Sequence, residues 1–259
     1  MAVIGCTTYR VVAMLETSVA ARSEPATAAY EAVAEFTDVS KSYGTGSVRF
    51  TALQNITCRL PRARTSYVFG PSGSGKTTFL NMLGVIDRPD SGSVRIMGVD
   101  VGALSDAKAA DFRARHIGYI FQSFNLIPVL SARENVEYVL LRSPLKAAER
   151  RDRAEHYLKA VGLGDNGLMN RRPGGLSGGQ RQRVAIARAL AGQPDLVIAD
   201  EPTANLDSRT SREIVDLMGT MQEDFEISFV MCTHDITLIP ASATIIEIVD
   251  GQITNTEKL

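Results

Sequence analysis

Residues 70–77 read GPSGSGKT, between an apolar run, TSYVFG at 65–70, and a run of helical character, KTTFLNMLGVI at 76–86. The pattern G-x-x-x-x-G-K-[ST], after a strand and before a helix, admits few folds. Gly73 and Gly75 permit a backbone that turns N–H groups inward, and the following helix aims its N-terminus at the same point. Such a loop cradles phosphate. In it Lys76 reaches the β- and γ-phosphates of a nucleotide and the Thr77 hydroxyl serves Mg²⁺. The candidate phosphate contacts are therefore Gly70, Pro71, Ser72, Gly73, Ser74, Gly75, Lys76, Thr77 and Thr78.

A second turn has the same chemistry. Residues 176–190 read LSGGQRQRVAIARAL, in which Ser-Gly-Gly opens directly into a helix. Backbone N–H groups and a helix N-terminus again suit an anion, but this turn has no lysine. One chain thus carries two phosphate-facing turns.

Other candidates stand at strand ends. LVIAD at 196–200 is an apolar strand ending in Asp200, with Glu201 next. Side chains diverge there, so the two acids can divide the work: Asp200 for the Mg²⁺ shell, Glu201 for the water that attacks the γ-phosphate. His234 follows the buried run SFVMCT, and Gln122 closes the run IGYIFQ at 117–122. Open α/β sheets bind ligands outside the carboxyl ends of their strands. His234 is then placed for the γ-phosphate or the water, and Gln122 for the Mg²⁺ or the water.

The chain's 259 residues suffice for one large domain or one domain with an inserted lobe. A net charge of −1 gives no electrostatic argument for nucleic acid or an anionic membrane surface. No stretch approaches the roughly 18–20 apolar residues that span a bilayer, so action at a membrane needs a partner chain. Cys6, Cys58 and Cys232 form no CxxC, which argues against a disulfide framework or zinc site and for a reducing cytoplasm. Residues 1–32 lack a basic segment followed by a sustained apolar core, so they read as a poorly ordered extension, with Met14 as a second candidate start.

From Ala34 to Leu60 alternating residues around Gly-rich turns predict antiparallel strands. Residues 106–116 predict a helix. Between 123 and 175 apolar residues recur at three- and four-residue spacing, a helical lobe inserted into an α/β sheet whose strands alternate with helices.

These residues, in this order, resemble the ATP-binding-cassette (ABC) ATPases from about Glu35 to Gly251. LSGGQ is specific: a given five-residue string arises roughly once in a million positions. The resemblance implies an α/β P-loop NTPase (RecA-like) core with an N-terminal antiparallel β subdomain and an inserted helical subdomain at about 123–180, within a domain covering 33–259. It also resolves the doubled turn. In this family two copies pair head to tail with ATP sandwiched between them. Ser177, Gly178, Gly179 and Gln180 of one copy would meet the γ-phosphate of ATP held by the other copy's 70–77 loop. Lys76, Glu201, His234 and Gln122 would be catalytic, and Thr77, Gln122 and Asp200 would hold Mg²⁺. Tyr43 matches the aromatic that stacks on adenine. Asn205, Leu206 and Asp207 match the loop that crosses the dimer interface.

Within the family, IFQSFNLIPVLSARENVEYVLL and GPSGSGKTTFLNMLGVIDRPDSG are most similar to the macrolide-export and lipoprotein-release branch, which includes cell-division relatives. That implies ATP hydrolysis powering a separate membrane permease, from a cytoplasmic position on the inner face of the cell membrane. A regulatory ABC ATPase of envelope or cell-division assembly is the alternative. Translation-type members carry two cassettes and repair-type members long coiled coils, and this sequence has neither. Nor has it an Asn-Lys-x-Asp guanine-reading motif. The chain departs from the family at ARTSY, at ITLIPASATIIEIVDGQIT and in its N-terminal extension.

Overall fold

The computed structural model describes residues 31–44, 49–240 and 243–258. The reading of the N-terminal extension, with Cys6 and Met14, falls on residues 1–30, outside the described residues.

In chain order the elements begin with β1 (Ala32–Tyr43), β2 (Phe50–Pro61), β3 (Thr65–Phe69) and α1 (Lys76–Leu83). Next come β4 (Ser91–Ile96), β5 (Val99–Asp100), α2 (Asp106–His116) and β6 (Ile117–Ile120). The helices α3 (Ala132–Val139), α4 (Ala147–Ala160) and α5 (Gly178–Ala191) follow. The chain closes with β7 (Leu196–Asp200), α6 (Ser208–Phe225), β8 (Ser228–Cys232), β9 (Thr244–Val249) and β10 (Gln252–Lys258).

Two sheets form. The smaller is antiparallel, in the order β2-β1-β4-β5. The larger runs β10-β9-β3-β8-β7-β6, with five parallel strands and β10 antiparallel at one edge. The parallel strands read as unbroken apolar runs because both their faces are covered. Alternation then divides their side chains between two cores. Val68, Leu196, Ile198 and Val230 join α1 and the antiparallel sheet. Tyr67, Val197, Phe229 and Met231 join the helices α3 to α6. In the first core Phe79 of α1 stacks on Phe36 of β1 with ring centroids 4.5 Å apart. Full burial of such a ring is worth about 2 kcal/mol. In the second core α5 is wedged between the sheet and its neighbours, so its Ala-Val-Ile run is buried on most sides.

Two local expectations need correction. β6 stops at Ile120, so Gln122 stands in the turn beyond the strand rather than at its end. The helices of the lobe start only at Ala132. Before them Phe124 and Asn125 are both left-handed, with φ 61° and 47°. The Arg188 guanidinium of α5 donates to their two carbonyls at 2.9 and 2.5 Å. This contact between residues more than sixty positions apart holds a turn that helical periodicity does not describe.

At the other edge an Asp250–Gly251 turn joins β9 to β10, with φ 48° and 75°. Both signs suit the two-residue hairpin. The Gly251 N–H donates to the Ser74 carbonyl at 2.9 Å, and the Gly251 carbonyl accepts from Gln54 N–H at 2.8 Å. The hairpin therefore braces the 70–77 loop from behind. No helix among the described residues is long and apolar enough to cross a membrane.

Candidate functional site

Because β3, β8, β7 and β6 run parallel, their carboxyl ends open on one edge. The loop after β3 lies there, with the turns after β7, β8 and β6. Helices α2, α3, α5 and α6 each begin with a Ser or Asp whose side chain accepts a backbone N–H. Helix α1 begins with Gly75, which offers no side-chain cap. Its first N–H groups have no side-chain cap, an arrangement that suits an anion. Lys76 Nζ donates to the carbonyls of Gly70 and Pro71 at 2.8 and 2.6 Å, which keeps the ammonium on the loop. The Ser74 hydroxyl is buried in the same loop with no partner among the described residues.

Gly75 is confined twice. Its φ is +105°, and an added Cβ would lie 2.4 Å from the Ala52 carbonyl oxygen and 2.8 Å from Leu53 Cδ2. Gly73, at φ +78°, faces open space. Gly75→Ala is therefore expected to destabilise the fold by at least about 2 kcal/mol, and Gly73→Ala by clearly less. Urea unfolding of both variants checks this, and equal costs would refute it.

The two acids diverge for a reason the sequence does not display. Asp200 ends β7 in extended backbone, whereas Glu201 is left-handed at φ 46°. That reversal re-aims the second side chain, and the Glu201 N–H donates to the Cys232 carbonyl of β8 at 3.1 Å. Glu201 Oε2 then lies 2.6 Å from His234 Nδ1. A carboxylate can only accept, so Nδ1 carries the proton and Nε2 is left for another partner. His234 is 66% exposed in its side chain, open to a ligand at the edge. Burial pushes the Asp200 carboxyl up from its ordinary range. The Glu201 charge adds to this, and Lys76 opposes it. The pair is thus an excess of negative charge beside one ammonium.

The 176–180 turn is built by a reciprocal cap. Ser177 Oγ accepts the Gln180 N–H at 3.2 Å, and Gln180 Oε1 accepts the Ser177 N–H at 2.9 Å. The Ser177 hydroxyl proton is not consumed by this cap. The two glycines that follow sit closely against neighbouring side chains. A Cβ on Gly178 would meet Leu206 Cδ2 at 3.1 Å, and one on Gly179 would meet Thr210 Cγ2 at 2.7 Å. Asp207 caps α6 through the Thr210 N–H at 3.0 Å. Asn205 Nδ2 donates to the Gln122 carbonyl at 2.9 Å. Gln122, Asn205, Leu206 and Gly178 thereby form one chain of contacts between the β6 turn and the 176–180 turn. Thr210 and Arg188 belong to this framework and escaped the sequence reading, since nothing local marks a residue that packs on a distant glycine.

The family profile described as ABC transporter matches residues 53–204. The chain belongs to the ABC transporter family. It is 42% identical over 220 residues to a lipoprotein-releasing system ATP-binding protein, LolD, of Anaeromyxobacter dehalogenans, covering 85% of this chain and 91% of that protein. It is 39% identical over 219 residues to a macrolide export ATP-binding/permease protein, MacB, of Marinobacter nauticus, covering 85% of this chain and 34% of that longer protein. Among solved structures it resembles the dimeric ATP-binding cassette MJ0796 of Methanocaldococcus jannaschii in a post-hydrolysis state bound to ADP and Pi. The TM-score is 0.78 at 40% identity, covering 87% of this chain and 98% of that one. The ABC ATPase fold and its resemblance to the lipoprotein-release and macrolide-export branch agree with the sequence reading. This ABC ATPase binds and hydrolyses ATP as the motor subunit of a transporter, and the cassette it resembles is itself dimeric.

Proposed function

We propose that two copies of this ABC ATPase close head to tail over two ATP molecules and drive a separate permease of the export or lipoprotein-release type. The observation that carries this is the Glu201–His234 pair, on the same sheet edge as the Lys76 loop. In this reading the 70–77 loop and Thr78 hold the phosphates, with Lys76 exchanging its two carbonyls for phosphate oxygens. Tyr43 stacks on the base. Glu201 takes the proton of the attacking water, and His234, held by Glu201, contacts that water or the γ-phosphate. Ser177 donates its hydroxyl proton across the interface, helped by the N–H groups of Gly178, Gly179 and Gln180. Asn205, Leu206 and Asp207 face the partner copy and carry its closure to Gln122.

The residues also fit Mg²⁺. Thr77, Gln122 and Asp200 offer hydroxyl, amide and carboxylate oxygens, the hard donors this ion selects. Bound there, it neutralises charge on the transferring phosphoryl.

The permease contact is assigned to a groove of about 400 Å³ lined by Tyr119, Phe121, Ile127, Tyr138, Val139 and Arg188. Val129 and Leu141 nearby are large, apolar and exposed. An amphipathic cytoplasmic helix of a permease suits such a groove and would place this chain on the inner face of the membrane. Lipoprotein or macrolide export is the substrate class carried by the relatives' names.

The shared site has a direct test. Lys76→Ala and Ser177→Arg subunits are each expected to be inactive. Mixed, they form dimers in which one of the two sites is intact, and phosphate release should recover to about a quarter of wild type, the product of half the dimers and half the sites. No recovery from a mixture in which both variants are folded would refute sharing across the interface.

A further inference from the structure

Tyr43 ends β1, and its ring is held by a lock that phosphate chemistry does not require. The hydroxyl donates to Asp87 Oδ2 at 2.5 Å and meets the side chain of Thr78 on α1. Asp87 is gripped from its other oxygen. Lys41 Nζ lies 2.9 Å from Oδ1, and the Arg88 N–H donates to the same atom at 2.8 Å. Lys41 also donates to the Arg88 carbonyl at 2.7 Å and stands 5.4 Å from the centroid of the Tyr43 ring. One residue away, the Ser42 N–H donates to Asp90 Oδ2 at 2.9 Å. The end of β1 is thus stitched to residues 87–90, just beyond α1.

Beside the locked ring stands Phe50, the first residue of β2. Its centroid is 5.7 Å from that of Tyr43 and the planes are tilted by 35°. Phe50 is 61% exposed, so the fold's own packing does not account for it. Burial opposes ionisation of Asp87, yet the bonds from Tyr43 and Lys41 outweigh it and hold the carboxyl below its usual range. A ring that merely fills space needs no ionic clamp on its hydroxyl. A ring that offers a fixed plane to a flat ligand gains affinity from one, because the ordering cost is met before binding.

We propose that Asp87 is a positioning residue for the nucleotide base: it fixes the plane of Tyr43, with Phe50 as the adjoining wall, for stacking of the purine whose phosphates lie in the 70–77 loop. This rests on the ATP-binding reading of that loop. Asp87 touches no part of the nucleotide and acts through the ring. Base stacking is therefore separable from phosphate binding, and the lock serves the first alone.

The test compares ATP with inorganic tripolyphosphate, which has the phosphates and no base, by calorimetric titration with Mg²⁺ into the full chain. Asp87→Ala should weaken ATP binding and raise KM about fivefold, with kcat held within about twofold. Tripolyphosphate affinity should not change. Tyr43→Phe keeps the ring and removes one oxygen, so it should reproduce the effect, and the double variant should be no worse than either single one. Equal loss for ATP and tripolyphosphate would show that Asp87 supports the loop or the fold, and would overturn the proposal. So would unchanged ATP affinity in both variants, or additive losses. If Asp87→Ala fails to fold, Tyr43→Phe carries the same comparison alone. Wild-type protein that binds neither ligand would overturn the ATP reading itself and this inference with it.

Discussion

Lys76→Ala is expected to abolish measurable ATP turnover and to weaken ATP binding by about a hundredfold or more. The magnitude follows from what the ammonium contributes. A hydrogen bond to a charged group is worth about 1.5–3 kcal/mol, and Lys76 has two carbonyl bonds to exchange for charged phosphate oxygens. Losing two such contacts reaches a hundredfold at about 1.4 kcal/mol per decade. The fold should survive, because Lys76 is partly exposed and the two carbonyls it leaves can turn to water. Calorimetric ATP titration and a phosphate-release assay, beside a thermal melt, check all three statements. Undiminished turnover in the folded variant would show that the loop is not the catalytic phosphate site.

Glu201→Gln should separate binding from chemistry. Removing a general base costs about 10²–10⁴ in rate, so turnover should fall about a thousandfold. ATP affinity should stay near wild type, since Lys76, the loop and the α1 N-terminus are untouched. The glutamine amide can still accept the His234 Nδ1–H, so the local geometry at 2.6 Å need not collapse. It also removes the one charge that, beside burial, pushes the Asp200 carboxyl up. With ATP trapped and the site less repulsive toward the triphosphate, the closed dimer should persist. Light scattering in ATP and Mg²⁺ should report about twice the monomer mass, falling to monomer when ATP is washed out. Rapid turnover by this variant would move the base elsewhere; a permanent monomer at high concentration would count against the sandwich.

The fold was legible where the signal is local. GPSGSGKT fixes a strand, a turn and a helix within some twenty residues, and β3 and α1 lie where it predicts. LVIAD and SFVMC are apolar on both faces, and they are the central parallel strands β7 and β8. The helix predicted over 106–116 has the same bounds in α2. What failed to show depends on distance along the chain. Gln122 sits in a turn because Arg188 and Asn205 hold its neighbourhood from 64 and 83 residues away. The clamp of Asp87 on Tyr43 spans 44 residues and uses residue types that sequence alone assigns to a solvated surface. The glycines of LSGGQ were read for their N–H groups. Their lack of a side chain matters equally, since Leu206 and Thr210 occupy the space a Cβ would take.

The backbone of Glu201 sets two demands against each other. At φ 46° a side chain other than Gly, Asn or Asp strains the chain, at a cost of about 1 kcal/mol. Asparagine or glycine would rest there more easily, but neither places a carboxylate beside His234. A population bred in the laboratory for thermal resistance alone would be drawn away from glutamate at this position, and one bred for work would be held to it. If Glu201 is the base proposed above, residue 201 is a place where the comfort of the backbone and the cleavage of ATP ask for different side chains.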